Sequence, residues 1–583
     1  MTALFDQAGP RWFTIPAHRP FAEDLARGVM AELAGMGPDA IADALILTPT
    51  RRGGRELAHA FLTVGGGIAA LLPQIRPLGD LDDGEPPFEP GDIALDLPPS
   101  ISPWRRRFEL AGIVKAHESL LGVELDAPGT LAYADALAQF LDSCQIEEID
   151  DPSALDDLVE ADHALHWAKS AAFLKKALAA WPMRLAELGV IDVAERRTRL
   201  LRRLAETWDA RPPKHLLIAA GSTGTVPATG DLLAVIAKAP RGCVVLPGLD
   251  LDLEEAAWSN VEDQHPQGAM KRLIEVRAKV GRQGVVEWPA SGVPSMHGRW
   301  RRRLINASLR PADSTKDWLK DIASIRAETA AEEVDPITEG LRGLAVVTGR
   351  HEEETASLAA LLLREVLETP DKTAALITPD IALARRVSAR LSRWGVEADS
   401  SAGMDLASFP AAVLARQVAR LVTDHADPVA LLGVLKSSHC RLGMAAEVFT
   451  FARDALEKHA LRGPRLPDFA ALQRRLAPRV ADSERGAKPP PEEERIAAGN
   501  LLANLYTALA PARAAFDGGP ASAAKAAEGL ALSLEALAAD ETGAPGALWG
   551  GPAVGSLAGL IAGLLGAGEG RPPMDAACFA SLL

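Results

Sequence analysis

Residues 44–62 read ALILTPTRRGGRELAHAFL, and this stretch decides the fold class. Ala44-Leu45-Ile46-Leu47 is a continuous apolar run and Thr48-Pro49-Thr50 a turn; Leu57 and Phe61 then fall four apart on one face of a helix. A strand that is apolar at every position is covered on both faces, as in a parallel sheet flanked by helices. The same order precedes it: a strand at Trp12–Ile15, Pro20 at a helix start, then Phe21, Leu25, Val29 and Leu33 on one face. Further strands are expected at His215–Ala219 and Cys243–Leu246.

A second lobe is expected from Leu344. Its strand Leu344–Thr348 leads to a helix through Leu358, Leu362 and Leu363. Strand Ala374–Ile377 then leads through Thr378-Pro379-Asp380 to a helix with Leu383, Val387, Leu391 and Trp394. Asp380 suits an N-cap and Gly395 the residue just past a helix end. From about 100 to 210 only helices are read, including LAYADALAQFLDSC and SAAFLKKALAAWPMRLAELG. Beyond about 415 the chain reads as helical and Ala-rich, with linkers at 486–495 and 541–552, and its end at FASLL reads as a truncation. The expected order is therefore a first α/β lobe in two parts (1–100 and 211–343), an inserted helical domain (101–210), a second α/β lobe (344–414) and a helical domain (415–583).

The chain has 583 residues, too many for one core, with 48% hydrophobic and 24% charged residues. Its net charge of −16 argues against a non-specific nucleic-acid coat, because that affinity comes from cations displacing counterions. Local basic clusters nevertheless stand on this acidic body: Arg51, Arg52 and Arg55; Trp104 to Arg107; Arg196, Arg197 and Arg199; and Arg299 to Arg303 with Trp300. Each is also what a solvated helix face looks like, although Trp beside Arg suits stacking on bases. The scattered Cys144, Cys243, Cys440 and Cys578 form no CxxC pair, and no signal peptide or membrane span is read. A soluble, cytoplasmic protein is expected.

Catalytic motifs are sparse. A phosphate loop, GxxxxGK[ST], needs glycine for backbone approach and lysine for charge, yet no Gly-Lys dipeptide occurs. The turn where such a loop belongs is Pro16-Ala17-His18-Arg19-Pro20, in which Arg19 is a surface arginine or a weak phosphate contact. The strand before Ala220-Gly221-Ser222-Thr223-Gly224 ends without the carboxylate that would hold magnesium; that loop by itself could form an anion nest. Asp250 and Asp252 read as metal ligands or as an acidic helix entry. His265, His297, His351 and His439 stand apart, with no metal spacing.

The strings PTRRGGRELAHAFL (49–62), LLPQIRPLGDLDD (71–83), AAGSTGTVPATGDLLAVIAKAPRGCVVLPGLD (219–250), HPQGAMKRLI (265–274), LRPADSTKDW (309–318) and TAALITPDIALARRVSARLSRWGVEADSSAG (373–403) together resemble the AddB family of alphaproteobacterial type. The resemblance implies an α/β fold with two RecA-like, superfamily 1 helicase-like lobes and large helical insertions. It implies degenerate helicase motifs, an AddA-type helicase–nuclease partner that supplies ATP chemistry, and work on double-strand DNA ends and single-stranded DNA in recombinational repair. It makes Thr50, Arg51, Arg52 and Arg55 strand-contacting residues, with Arg385 and Arg386 as second-lobe counterparts. The family's iron-sulfur cluster and magnesium belong to a C-terminal nuclease domain that has no counterpart in these residues, so no cofactor is expected in this chain. Leu435 to Cys440 departs from the family pattern. A two-lobed Rossmann-like enzyme binding a nucleotide at the AAGSTG loop is the alternative, and a fragment that folds incompletely is a third reading.

Overall fold

The computed structural model describes residues 9–583 except 38, 67–70, 79–96, 150, 152, 154–163, 290–295, 316, 328–334, 371, 402, 404, 478–489, 547, 551 and 569–572. It divides into two compact units. The first comprises Met1–Ile101, Gln139–Leu158 and Pro182–Ala345, and the second Ser102–Ala138, Val159–Trp181 and Val346–Leu583.

The first unit is α/β. Its strands are β1 (Trp12–Ile15), β2 (Leu45–Thr48), β3 (Gln74–Pro77), β4 (Leu217–Ala220), β5 (Gly242–Pro247) and β6 (Val285–Glu287). They form one sheet in the order β3-β2-β4-β5-β1-β6, and every pairing is parallel. Alternation along each strand sends side chains to opposite faces. Phe13, Ile15, Ile46, Ile218 and Val245 point under α1 (Phe21–Leu33) and α2 (Arg51–Val64). Trp12, Leu45, Leu47, Leu217, Val244 and Leu246 point under α3 (Val193–Ala210) and α4 (Pro227–Lys238). Two covered faces explain why the four inner strands read as largely apolar runs; Thr14 of β1, buried among them, donates its hydroxyl to the Leu246 carbonyl at 3.2 Å. The outer strands differ: β3 is QIRP, and in β6 only Val285 is buried.

Helix α3 presents Leu201, Leu204, Ala205 and Trp208 to the sheet, a spacing of three and four residues that makes one helical face. Arg202 on its flank is held by Glu148 and by Asp231 of α4. Helix α1 meets the far edge through a glycine. The Trp288 indole lies against Gly28 and donates to the carbonyl of Asp24 at 2.9 Å, and a Cβ at Gly28 would collide with that ring. Gly28→Ala is expected to cost about 1–3 kcal/mol, the range for overpacking a filled core, read as a lower denaturant midpoint and altered tryptophan emission. An unchanged midpoint would show that the ring moves aside freely. The unit closes with α5 (Met296–Ser308), α6 (Trp318–Ala327) and α7 (Pro336–Leu341).

The second unit is helical among the described residues. Its largest core gathers Val418, Leu421, Leu501, Leu505, Leu530 and Leu534 from three helices, with Phe449 and Phe579. The expected strands Leu344–Thr348 and Ala374–Ile377 are a correction: both stretches run without regular structure and enter no sheet. Val346 is 89% exposed and Ile377 95% exposed. The helices that follow do form. α8 (Glu352–Val366) and α9 (Ile381–Ser392) pack through Ala356, Ala360, Val387 and Leu391, with Asp380 as N-cap and Gly395 at φ +73°. A helix satisfies its backbone internally whereas a strand needs a neighbour, and neither apolar stretch finds one among the described residues. Residues 486–489 of the expected linker lie outside the described residues. No helix among the described residues is long and apolar enough to cross a membrane.

Candidate nucleic-acid interface

Ligands of open parallel sheets gather at the carboxyl ends of strands, where successive helices leave to opposite faces. β2 and β4 are such neighbours, since α2 follows β2 on one face and α4 follows β4 on the other. Their ends carry Thr48 to Arg55 and Ala220 to Gly224.

Thr48 is buried, and its hydroxyl donates to the Thr50 carbonyl at 3.2 Å. Thr50 is the N-cap of α2: its backbone is extended, and its Oγ1 accepts from the Gly53 amide at 3.0 Å. Gly54 lets the first turn approach the sheet, where an added Cβ would stand 3.2 Å from Ile75 and 3.4 Å from the Thr48 hydroxyl. Arg51 is half-buried, while Arg52 and Arg55 are exposed. No acidic residue occupies this turn. A helix start carries a partial positive charge, and each cation there costs about 0.3–1 kcal/mol. The first turn of α8, with Glu352, Glu353 and Glu354, follows the ordinary rule; α2 reverses it.

The loop after β4 turns through Gly221 at φ +81° and Gly224 at φ +63°. Gly221 sits against Phe21 and Pro49, each 3.6 Å from an added Cβ, which brings this loop beside the Thr-Pro-Thr turn. The Ser222 hydroxyl accepts from the Gly224 amide at 3.3 Å, and the Thr223 and Thr225 hydroxyls are 3.1 Å apart. No carboxylate follows β4.

The turn after β1 is closed by its own ion pairs. Arg19 grips Asp24 at 2.6 Å, and Asp24 also takes Arg27 at 2.8 Å while its side chain is only 1% exposed. Arg19 therefore faces inward, away from the surface role read from the sequence. His18 lies close by, and burial, then the nearby Arg302 and Arg19, hold its imidazole below the ordinary value. Asp250 accepts from the Asp252 and Leu253 amides at 2.9 and 3.1 Å and from Asn306 at 2.7 Å. Asp252 pairs with Arg302 at 2.6 Å. Both aspartates thus brace loops, and among the described residues no group of three or more His, Cys, Asp or Glu could hold a metal. His265 is fixed between the Gln267 amide and the Leu309 carbonyl, and His351 caps α8.

The remaining sequence candidates separate. Arg386 joins α9 to Glu352 and Glu353 of α8, whereas Arg385 is exposed. Trp104 stacks on Phe108 with centroids 6.0 Å apart and abuts Gly563, and Arg107 makes two 2.8 Å bonds to Asp135. Trp300 is 5% exposed beneath Arg299. Neither tryptophan is a base-stacking platform. Cys243 and Cys440 are buried, and desolvation lifts the Cys440 thiol to about 12 and Cys243 higher still, so neither is a nucleophile.

No family model matches the chain, and no curated protein matches it. The candidate site rests on geometry alone. Sequence reasoning missed Asp24, because nothing in FAED separates a buried carboxylate from a helix-start acid; its place on the same face as Leu25 and Gly28 was the available signal.

Proposed function

We propose that this chain is an AddB-like, helicase-shaped subunit that holds single-stranded DNA beside an ATP-hydrolysing AddA-type partner in double-strand break repair. The observation that carries the reading is the first turn of α2. It places Arg51, Arg52 and Arg55 at and just past a helix start, at the carboxyl edge of a parallel sheet, in a first turn that holds no acidic residue of its own. Backbone phosphates approaching that edge would meet the three guanidinium groups, the α2 dipole and the Ser222 and Thr223 hydroxyls. Such contacts set position and affinity without reading bases. The absence of a lysine-bearing loop after β1 and of a carboxylate after β4 supports a site that grips without hydrolysing ATP. The two RecA-like lobes implied by the family resemblance belong to this proposal, as do Arg385 on the second lobe and the cytoplasmic setting.

Fluorescence anisotropy with a labelled 20-nucleotide single strand tests the reading. Saturable binding is expected, with log K falling by roughly 0.7 per phosphate contact for each tenfold rise in salt. Addition of ATP should change neither the affinity nor the phosphate released. No binding at low salt, or ATP turnover by the chain alone, would defeat it.

A further inference from the structure

Arg302 of α5 straddles the end of β1. It meets Asp252, in the loop after β5, at 2.6 Å and Glu287 of β6 at 2.6 Å. β5 and β6 are the two strands that flank β1 in the sheet, so one guanidinium ties both neighbours across the turn that follows β1. The strand ends around that turn are fixed by three bonds of 2.9 Å. The Gly248 amide donates to the Ile15 carbonyl, the Leu249 amide to the Thr14 hydroxyl and the Trp288 amide to the Thr14 carbonyl. Gly248, at φ +70°, closes the turn from the β5 side, where an added Cβ would stand 3.1 Å from the Ala17 methyl.

His18 lies in this turn among four charges. Two are positive, Arg302 from α5 and Arg19 from the turn itself, and two are negative, Glu287 on β6 and Asp252 beyond β5. Arg19 is engaged by Asp24 of α1, which Arg27 shares. The His18 Nδ1 is shut off from solvent and has no hydrogen-bond partner among the described residues. A neutral ring leaves that nitrogen a bare acceptor. An imidazolium carries a proton on both nitrogens, and a sealed donor without an acceptor forfeits its hydration. Burial and then the two guanidinium groups favour the neutral ring, against the pull of the two carboxylates.

We infer that His18 is an acid-sensitive latch on the Arg302 bridge. With the ring neutral, Arg302 keeps both carboxylates and ties α5 to the carboxyl edge of the sheet. With the ring protonated, two cations face the same pair of carboxylates, and a carboxylate drawn to His18 is taken from Arg302. The Asn306–Asp250 bond at 2.7 Å then holds α5 to that edge without its charged neighbour. The unfolded chain takes up the proton first, because the folded-state value lies below the ordinary 6.5. The stabilisation is therefore complete above about pH 6.5 and is lost as pH falls through the folded-state value. No residue of the α2 edge takes part, so the inference stands apart from the DNA reading.

Hydrogen exchange followed by mass spectrometry on the full 583-residue chain tests the latch. Exchange at the imidazole C2 position of the peptide that holds His18 gives the titration midpoint of the ring. A midpoint below 6.5 is expected in the parent, and Arg302→Met should raise it, since one cation leaves and two carboxylates are freed. Amide protection across Met296–Ser308 should fall between about pH 7.5 and about pH 5.5 in the parent and hold in His18→Gln, whose side chain does not titrate. The unfolding constant of the parent, relative to that of His18→Gln, should grow by up to about tenfold per pH unit below 6.5. The midpoint is read on the parent, so it decides even where a substitution disturbs the turn. A midpoint at or above 6.5, a midpoint indifferent to Arg302→Met, or equal loss of protection in the parent and His18→Gln overturns the inference.

Discussion

Replacement of Arg51, Arg52 and Arg55 together by alanine is expected to lower single-strand affinity by roughly 30–100-fold near 0.1 M salt. The salt slope should flatten by about two, because each lost phosphate contact removes about 0.7 for a single strand. The same variant should lose little stability, because the α2 dipole disfavours cations in its first turn by about 0.3–1 kcal/mol each. A large fall in affinity beside a small change in stability separates a binding role from a structural one. A variant with lower stability and an unchanged salt slope would show that these arginines hold the fold and leave DNA alone. Thr50→Ala, by contrast, should cost about 1 kcal/mol through the lost cap to Gly53 without touching the slope.

The largest stability loss is expected at Asp24. Its carboxylate is 1% exposed and is shared by Arg19 and Arg27, with Arg19 itself only 11% exposed. Asp24→Ala removes the buried carboxylate that Arg19 and Arg27 share, and breaking a buried pair of this kind costs about 3–5 kcal/mol. Arg19→Ala added to Asp24→Ala should cost less than the two single changes summed, since both act on one ion pair. Chemical denaturation of both single variants and the double variant completes the cycle. Strict additivity would mean that Arg19 reaches water once Asp24 is removed and that the turn is looser than its contacts indicate.

The inner strands β1, β2, β4 and β5 were legible within one or two residues, because burial on both faces writes itself as a largely apolar run. The edge strands were not. Gln74–Pro77 and Val285–Glu287 are held by a neighbour's backbone, and a ladder of main-chain bonds leaves no mark on side-chain type. The stretches Leu344–Thr348 and Ala374–Ile377 show the converse. Their side chains suit a strand, but pairing belongs to two segments at once, and one segment cannot announce its partner.

The candidate site was legible in a similar proportion. TPTRRGG shows a cap, a basic first turn and glycines for close approach, all local features. The fates of Arg19 and Arg386 were hidden. An arginine bound to a buried aspartate or to the next helix looks like any other arginine until distant residues are brought together.

The two uncovered apolar stretches also govern how the chain behaves in a crowded vessel. Val346 and Ile377 stand almost fully in solvent on backbone that has made no ladder. Such segments are templates for one another. Two molecules meeting there could pair edge to edge, so the rate of clumping should climb with the square of concentration while the sheet and the helical core stay folded. Solubility of this polypeptide is then a matter of kinetics, decided by how long those edges wait for a cover.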